Sequence, residues 1–326
     1  MTAMAPSRQP DPPVGTAFAL RDPLPWGRFA GSAQLGEALG YRAVFLPEIA
    51  GRDAFAALTG LAAETNRLLL ATGIVPMTSR LPRTTAMGIA TVHERSGGRA
   101  VLGLGTGPAR PGALATLASQ VRELRALLDA GPRDGAAGGA DPLSLELPGP
   151  VPIWIAALGP RSVRLAGELA DGVLLNWCSP QRVVEARTDV RAAARTSGRD
   201  PDAVTVGVYV RACLEQPDPD AAMRAVKAAV GEYASHPAYA RQFAAMGWQG
   251  EAESAVQACR ANRSEDVPQA LVDAVCLVGD VSTARARLDA YRRSGASMPV
   301  VYPVLVAGVD PAASVEATLR ALAPTG

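Results

Sequence analysis

The segment VPIWIAALGPRSVRLAGELADGVLLN, residues 151–176, contains two short apolar runs that flank a longer run of helical periodicity. The first apolar run ends in a turn of small residues, and Pro160 then lies where a helix would have its first turn. The second apolar run begins at Gly172. A strand, a helix and a second strand in this order predict a βαβ unit with parallel strands.

The same alternation extends over most of the chain. Runs of strand type lie at Thr16–Leu20, Ala43–Leu46, Leu68–Gly73, Ala100–Leu104, Val151–Ala156, Gly172–Asn176, Val204–Cys213 and Pro299–Val304. Helical segments lie near 27–39, 53–65, 82–95, 111–129, 160–169, 180–197, 281–293 and 310–323. Eight strands that are each followed by a helix predict an α/β protein with a single (β/α)8, or TIM, barrel.

Three segments depart from this regular spacing. Residues 131–150 are rich in Gly, Pro and Asp around the apolar run Leu143–Leu147, which predicts an insertion after the fourth strand with one added hairpin strand. Residues 218–273 have an almost entirely helical pattern, which predicts a helical insertion between the seventh and eighth strands. Residues 1–13 contain four Pro and no long apolar run, so we expect a disordered leader before a barrel domain at 14–326.

Composition excludes several classes of protein. The chain of 326 residues has 48% hydrophobic and 19% charged residues, and its 32 basic and 31 acidic residues nearly cancel. A nucleic-acid partner is not expected, because such a protein would carry a strongly basic face. No apolar run is long enough for a signal peptide or a membrane span, which predicts a cytoplasmic protein without a membrane partner.

The cysteines and histidines do not suggest a metal site or a disulfide framework. Cys178, Cys213, Cys259 and Cys276 are widely spaced without a CxxC pair, and we expect four buried thiols. His93 and His236 are the two histidines, and neither falls at a predicted strand end. No metal is therefore expected.

In a TIM barrel the functional groups lie at the carboxyl ends of the strands and in the loops that follow. The residues at these predicted ends are Arg21, Asp22, Pro47, Glu48, Thr72, Gly73, Ile74, Gly105, Thr106, Gly107, Ala157, Leu158, Gly159, Asn176, Trp177, Tyr209, Arg211 and Tyr302. We therefore look for catalytic and coenzyme-binding residues within this set.

The turn at Ala156–Pro160 has the features of a phosphate site. Its small residues allow close approach of the backbone, and the helix that starts at Pro160 directs its free N–H groups back towards the turn. An ordinary tight barrel turn explains the same residues equally well. The glycine-rich GLGTGP, residues 103–108, is not a dinucleotide fingerprint, because no acidic strand-end residue follows at the required distance.

Four segments, three of them not yet quoted, carry a resemblance. In order, GYRAVFLPEIAGRDAF (40–55), LLLATGIVPMTSRLPRTTA (68–86), RAVLGLGTG (99–107) and the quoted segment resemble the bacterial luciferase-like flavin or deazaflavin oxidoreductase family. The segment 272–304 also resembles the last helix and eighth strand of that family.

The resemblance implies a coenzyme and the residues that hold it. The Thr-Gly-Ile step followed by Pro-x-x-x-Arg is similar to the branch that uses the 8-hydroxy-5-deazaflavin coenzyme F420, with FMN as the alternative. It implies a cis peptide at Gly73–Ile74 beside the flavin-like ring. The implied coenzyme-binding residues are Thr72, Gly73, Ile74, Gly105, Thr106, Gly107, Ala157, Leu158, Gly159, Pro160, Asn176 and Trp177.

Departures from the family pattern bear on the substrate. Pro47-Glu48 replaces the Asp-His pair of many members, and Pro108 replaces the Glu of a sugar-phosphate-oxidising branch, so the resemblance argues against sugar-phosphate oxidation. Glu48 is the candidate acid or base, because an apolar loop would raise the pKa of its carboxyl group. The alternative is that it serves as a cap or pairs with Arg52 or Arg80.

Two other side-chain types are candidates for substrate contact. Arg80 is the second candidate catalytic residue, and it would fix an anionic group of the substrate or of the coenzyme tail. Trp177 and Tyr302 are candidates for walls of the ring or substrate site, with simple packing as the alternative.

Three functions are compatible with this sequence. The first is hydride transfer between F420 and a small organic substrate, and the second is an FMNH2-dependent two-component monooxygenase. The third is a non-catalytic flavin-binding homologue. We also expect a homodimer, packed through the Ala-rich helices near 53–65 and 82–95, and a reductase partner that regenerates the coenzyme.

Overall fold

The computed structural model describes residues 12–18, 24–108, 110–130 and 143–324. Its strands are β1 (Gly15–Ala17), β2 (Ala43–Leu46), β3 (Leu69–Thr72), β4 (Val75–Pro76), β5 (Ala100–Gly105), β6 (Ile153–Ala157), β7 (Gly172–Asn176), β8 (Thr205–Ala212), β9 (Cys276–Leu277) and β10 (Met298–Pro303). Its α-helices are α1 (Trp26–Ala38), α2 (Ala54–Glu64), α3 (Pro82–Arg95), α4 (Ala113–Asp129), α5 (Pro160–Leu169), α6 (Pro180–Thr196), α7 (Pro219–Ala234), α8 (Pro237–Ala245), α9 (Gln249–Arg260), α10 (Gln269–Val275), α11 (Val281–Arg293) and α12 (Pro311–Ala321).

Eight parallel strands close into a barrel. The order is β1, β2, β3, β5, β6, β7, β8 and β10, and β10 pairs in parallel with both β8 and β1. The two short strands extend the barrel at its carboxyl end, because β4 pairs with β5 beyond β3, and β9 pairs with the end of β8. The predicted TIM barrel is therefore confirmed.

Side chains at the helix starts explain why the helices begin where they do. The carboxylates of Asp53, Asp218, Asp280 and Asp310, and the hydroxyl of Ser179, accept hydrogen bonds from backbone N–H groups in the first turns of α2, α7, α11, α12 and α6. Six helices also have proline in the first turn, where the missing N–H costs no hydrogen bond.

Three buried clusters hold the fold together. The barrel interior contains several aromatic rings, with Phe45 packed against Trp154 and Tyr209, and Tyr209 against Tyr302. A larger apolar layer separates the strands from the surrounding helices. The insertion, which consists of α7–α10 and a short 3-10 helix at Ser264–Asp266, has a core of its own around Phe243.

The structure corrects several boundaries. Residues 143–150 contain no strand, so the hairpin strand predicted at Leu143–Leu147 is wrong, and 131–142 lie outside the described residues. The first strand spans Gly15–Ala17, while Ala19, Leu20, Arg21 and Asp22 lie outside the described residues, as does nearly all of the predicted leader.

The expectation of four buried thiols is wrong at one position. Cys178, Cys213 and Cys276 are buried, whereas Cys259 is exposed on α9. Burial raises the pKa of each of the three buried thiols to about 12. None of the helices in the described ranges has the length and apolar character that crossing a membrane would require.

Candidate active site

A cleft opens at the carboxyl end of the barrel. Its inner part is a cavity of about 520 Å³, and a second cavity of about 580 Å³ continues it outwards. The inner cavity is lined by Pro47, Glu48, Ile49, Gly73, Ile74, Pro76, Gly105, Thr106, Gly107, Ala156, Ala157, Leu158, Leu174, Asn176, Tyr209, Arg211, Tyr233, Ala238, Tyr239 and Tyr302. A volume of this size suits a cofactor ring with a small substrate.

The step from β3 to β4 forms one surface of the cavity. The Gly73–Ile74 peptide is cis, as the family resemblance implied. The hydroxyl of Tyr209, from the opposite side of the barrel, donates a hydrogen bond of 2.8 Å to the Gly73 carbonyl. A Cβ at position 73 would lie 1.8 Å from that hydroxyl oxygen, so only glycine fits without rearrangement.

Glycines leave the neighbouring end of β5 without side chains. A Cβ at Gly105 would lie 2.7 Å from Cδ1 of Ile74. Gly107 has φ +67°, and a Cβ there would lie 2.8 Å from the hydroxyl of Thr78. The result is a smooth apolar surface against which a planar ring can rest.

The turn between β6 and α5 offers unpaired donors. Within the described residues, the backbone N–H groups of Gly159, Arg161 and Ser162 have no protein acceptor, whereas that of Val163 bonds to the Gly159 carbonyl. Leu158 lines the cavity, and Gly159 and Pro160 follow just outside its lining. Free N–H groups at the start of a helix of ten residues are a site for a phosphate.

Glu48 lies at the cavity edge in an ion pair. Its carboxylate accepts from Nε and Nη2 of Arg80 at 3.2 and 3.0 Å and from the Ala54 N–H at 3.2 Å. Arg80 also bonds to Asp53 and lies 5.0 Å from the centre of the Phe55 ring. The pairing alternative is confirmed with Arg80 as the partner, because Arg52 instead bonds to the Leu24 carbonyl.

The charges of this cluster reinforce one another. The hydrogen bond to Glu48, and then that to Asp53, raise the pKa of Arg80 against the opposing effect of burial. Desolvation acts against ionisation of Asp53, but hydrogen bonds from the Ala56 N–H and from Arg80 hold the pKa of its carboxyl group below the usual value. Arg80 does not line the inner cavity, so it contacts the site through Glu48.

Two predicted coenzyme residues lie behind the cavity. The Thr72 hydroxyl exchanges hydrogen bonds of 2.8 Å with the carbonyl and the N–H of Gly103, which joins β3 to β5. Trp177 is only 1% exposed, has φ +53°, and packs in the core of the insertion. It contacts Arg211 and Tyr233 and does not line either cavity.

Sequence reasoning placed Arg211 at a predicted strand end but gave it no role, and it did not predict the group around Arg211. Asn176 joins Arg211 to the insertion, because its Oδ1 accepts from Nη1 of Arg211 at 2.5 Å and its Nδ2 donates to the Tyr239 hydroxyl at 2.8 Å. Tyr233 and Tyr239 come from α7 and α8. Tyr209 and Arg211 are two apart on β8 and so share the inward face, which was the available signal for Arg211.

Comparison with known proteins identifies the family of this chain. The model of the family described as luciferase-like monooxygenase matches residues 2–298. The chain belongs to the luciferase-like monooxygenase family. Its barrel, its cis peptide after β3 and its glycine-rich β5 end agree with the resemblance found in the sequence.

Individual relatives and structures are similar over different lengths. A 5,10-methylenetetrahydromethanopterin reductase from Methanolobus tindarius is 36% identical over 226 residues, which are 64% of this chain and 66% of the reductase, just under two thirds of its length. The coenzyme F420-dependent tetrahydromethanopterin reductase structure from Methanopyrus kandleri has a TM-score of 0.75 at 22% identity, covering 94% of this chain and 97% of that one. An F420-dependent secondary alcohol dehydrogenase with an F420–acetone adduct has a TM-score of 0.74 at 14% identity, covering 96% and 99%.

Proposed function

We propose that this protein is an oxidoreductase that transfers a hydride between coenzyme F420 and a small organic substrate. The observation that carries the proposal is that unpaired helix N–H groups follow directly after Ala157 and Leu158, which line the same cavity as the glycine surface. Similarity to proteins named for F420 or for a reductase supports this coenzyme over other flavins.

The residues present fit such a coenzyme. We assign the ring to the surface formed by Gly73, Ile74 and Gly105–Gly107, which lines the inner cavity. A Cβ at Gly73 would collide with Tyr209 and one at Gly105 with Ile74, so this surface depends on glycine. We assign the phosphate to the turn Ala157–Pro160, because the N–H groups of Gly159, Arg161 and Ser162 await an acceptor. When bound, the deazaflavin supplies or accepts a hydride.

The protein's own groups then position the substrate and exclude water. Tyr209, Tyr233, Tyr239 and Tyr302 line the same cavity as the glycine surface. Burial raises the pKa of Tyr239 to about 12, so its hydroxyl stays protonated at neutral pH. A carbonyl substrate that gains a hydride at carbon also gains a proton at oxygen, and we assign that proton exchange to the carboxyl group of Glu48.

The fixed position of Glu48 suits this role. Its two hydrogen bonds from Arg80 and one from Ala54 hold the carboxylate at the cavity edge, while 16% of the side chain remains accessible. Arg80 is therefore a positioning residue in this proposal.

An FMNH2-dependent monooxygenase is the second candidate function, favoured by the description of the matched family. Both functions use the same ring surface and the same phosphate turn. They differ in which coenzyme binds and in whether dioxygen is consumed. A flavin-binding homologue without activity would bind coenzyme and turn over no substrate.

Paired titrations of the purified protein test these assignments. Oxidised F420 and FMN are added separately, and binding is followed by calorimetry and by the fluorescence of the four tryptophans. We expect tighter binding of F420, and hydride exchange without oxygen uptake for a panel of ketones, enones and imines. Tighter binding of FMN with oxygen uptake would establish the monooxygenase, and binding of neither would refute the site.

We also propose that the protein is a homodimer. Leu81 and Met87, at the start and on the outer face of α3, are 74% and 53% exposed, which is unusual for large apolar side chains. Sedimentation as a monomer at micromolar concentration would refute this. The cytoplasmic location and the reductase partner stay predictions from the sequence.

A further inference from the structure

Arg211 is a cation inside the barrel mouth. It is 4% exposed and lines both cavities of the cleft. Its guanidinium carbon lies 4.1 Å from the ring centre of Tyr302, 4.6 Å from Trp177, 5.1 Å from Tyr233 and 5.7 Å from Tyr209. Four aromatic rings therefore surround one positive charge.

No carboxylate in the described parts of the chain forms an ion pair with this guanidinium. Two of its N–H groups donate hydrogen bonds, one to Asn176 Oδ1 and one to the Tyr233 hydroxyl at 3.3 Å. An arginine has five N–H donors, so three are left without an acceptor among the described residues. A buried charge is normally paired, because the loss of hydration is costly.

The other charged groups of the cleft do not compensate Arg211. Glu48 is already bound to Arg80. Glu232, His236 and Arg241 line only the outer cavity. Among the residues that line the inner cavity, Arg211 is therefore the cation, and the carboxylate, Glu48, is bound to Arg80 instead.

We propose that Arg211 binds an anionic oxygen group of the substrate, most simply a carboxylate. That the bound anion belongs to a substrate rests on the proposed function. The planar fork of arginine matches a carboxylate with two parallel hydrogen bonds, and the tyrosines exclude water from them. The substrate class is then a small organic acid whose reducible or oxidisable carbon lies a short distance from its carboxylate.

The coenzyme is a second source of the same chemistry, since its acidic groups would also satisfy a guanidinium. The two sources predict different results when a carboxylate probe and the coenzyme compete for the protein. A carboxylate probe that occupies a substrate subsite binds alongside saturating coenzyme, whereas a probe on the coenzyme's own subsite is displaced by it.

The test uses benzoate and its neutral isostere benzamide as probes, at constant ionic strength, in calorimetry with the full-length protein. We expect benzoate to bind at least about tenfold more tightly than benzamide, with and without saturating coenzyme. Arg211→Gln should reduce the preference to less than about twofold, and Arg211→Lys should keep part of it because the charge remains. Arg260→Gln, which removes an exposed charge on α9, is the matched control and should change nothing.

Equal affinity of the native protein for the two probes would overturn the proposal, and this outcome does not depend on whether the variants fold. A full benzoate preference in folded Arg211→Gln would also overturn it. Displacement of benzoate by coenzyme would assign the site to the coenzyme tail and refute the substrate role. Benzoate binding through Arg211 without any F420 binding would refute the proposed function and leave the anion site established.

Discussion

Replacing Gly73 with alanine tests whether the floor of the cleft depends on a bare backbone. The added Cβ would lie 1.8 Å from the Tyr209 hydroxyl oxygen and 3.0 Å from Cβ of Phe45. Phe45 blocks movement in one direction, so the tyrosine must withdraw and its hydrogen bond to the Gly73 carbonyl is lost.

The expected loss follows from these two effects. Overpacking of a well-filled interior costs about 1–3 kcal/mol. A buried carbonyl left without its donor costs about 1–3 kcal/mol more. The free energy of unfolding should therefore fall by about 2–6 kcal/mol, which lowers the thermal midpoint by roughly 3–9 °C for a protein of this size.

The assay is thermal and urea unfolding followed by circular dichroism, in a double-mutant cycle with Tyr209→Phe. Removing the hydroxyl removes the closest collision, so Gly73→Ala should cost at least about 1 kcal/mol less in the phenylalanine background. Gly250→Ala on α9 is the control, because its Cβ meets nothing within 4 Å. An unchanged midpoint for Gly73→Ala, or equal costs in the two backgrounds, would refute the reasoning.

Three further predictions concern chemistry and pH. Glu48→Gln should lower turnover at least about tenfold with little change in F420 affinity, in line with the usual contribution of general acid–base catalysis; equal turnover in steady-state assays would remove Glu48 from the mechanism. Gly159→Asp should weaken F420 binding at least about tenfold by repulsion of the phosphate, and unchanged affinity in calorimetry would show that the phosphate lies elsewhere. Burial lowers the pKa of His93, with the opposing hydrogen bond to Gly149 too weak to restore it, so the folded protein binds this proton less readily than the unfolded chain. Stability should thus be lost as the pH falls below the ordinary histidine value of about 6.5, and His93→Gln should flatten that slope in thermal melts at pH 5.5–7.5.

The sequence predicts the barrel well because each βα unit is specified locally. The predicted strand at Gly172–Asn176 is reproduced at both ends, and the helix predicted at 160–169 matches α5. Only glycine fits at position 172, since a Cβ there would lie about 2.5 Å from the indole of Trp154. Apolar runs bounded by turn residues contain this information without reference to the rest of the chain.

Contacts between distant segments were less predictable. The pairing of Glu48 with Arg80 was one of two stated alternatives, and only the fold shows that Arg52 turns away to Leu24. Trp177 was placed at the mouth because it follows a strand, but α8 covers it, and Gln242 donates to its carbonyl at 2.6 Å. No local pattern reports where a helical insertion will pack.

The arrangement of charge across the cleft is the physical basis of the different roles that we propose for Arg80 and Arg211. Arg80 contacts two carboxylates, Glu48 and Asp53, so that side of the cavity carries a net negative charge. Arg211, on the other side, has aromatic faces and neutral acceptors as its partners in the described structure. In the proposed site, a substrate with an anionic end would be drawn to Arg211 and would present its other end towards Glu48. Both groups would act on it in a water-poor cavity, where such a field is weakly screened. Orientation by opposite charges also accounts for the division of this site between the barrel and the insertion. Strand β8 of the barrel holds the guanidinium of Arg211 in place. The insertion supplies part of its aromatic surroundings and so would determine which substrates reach it.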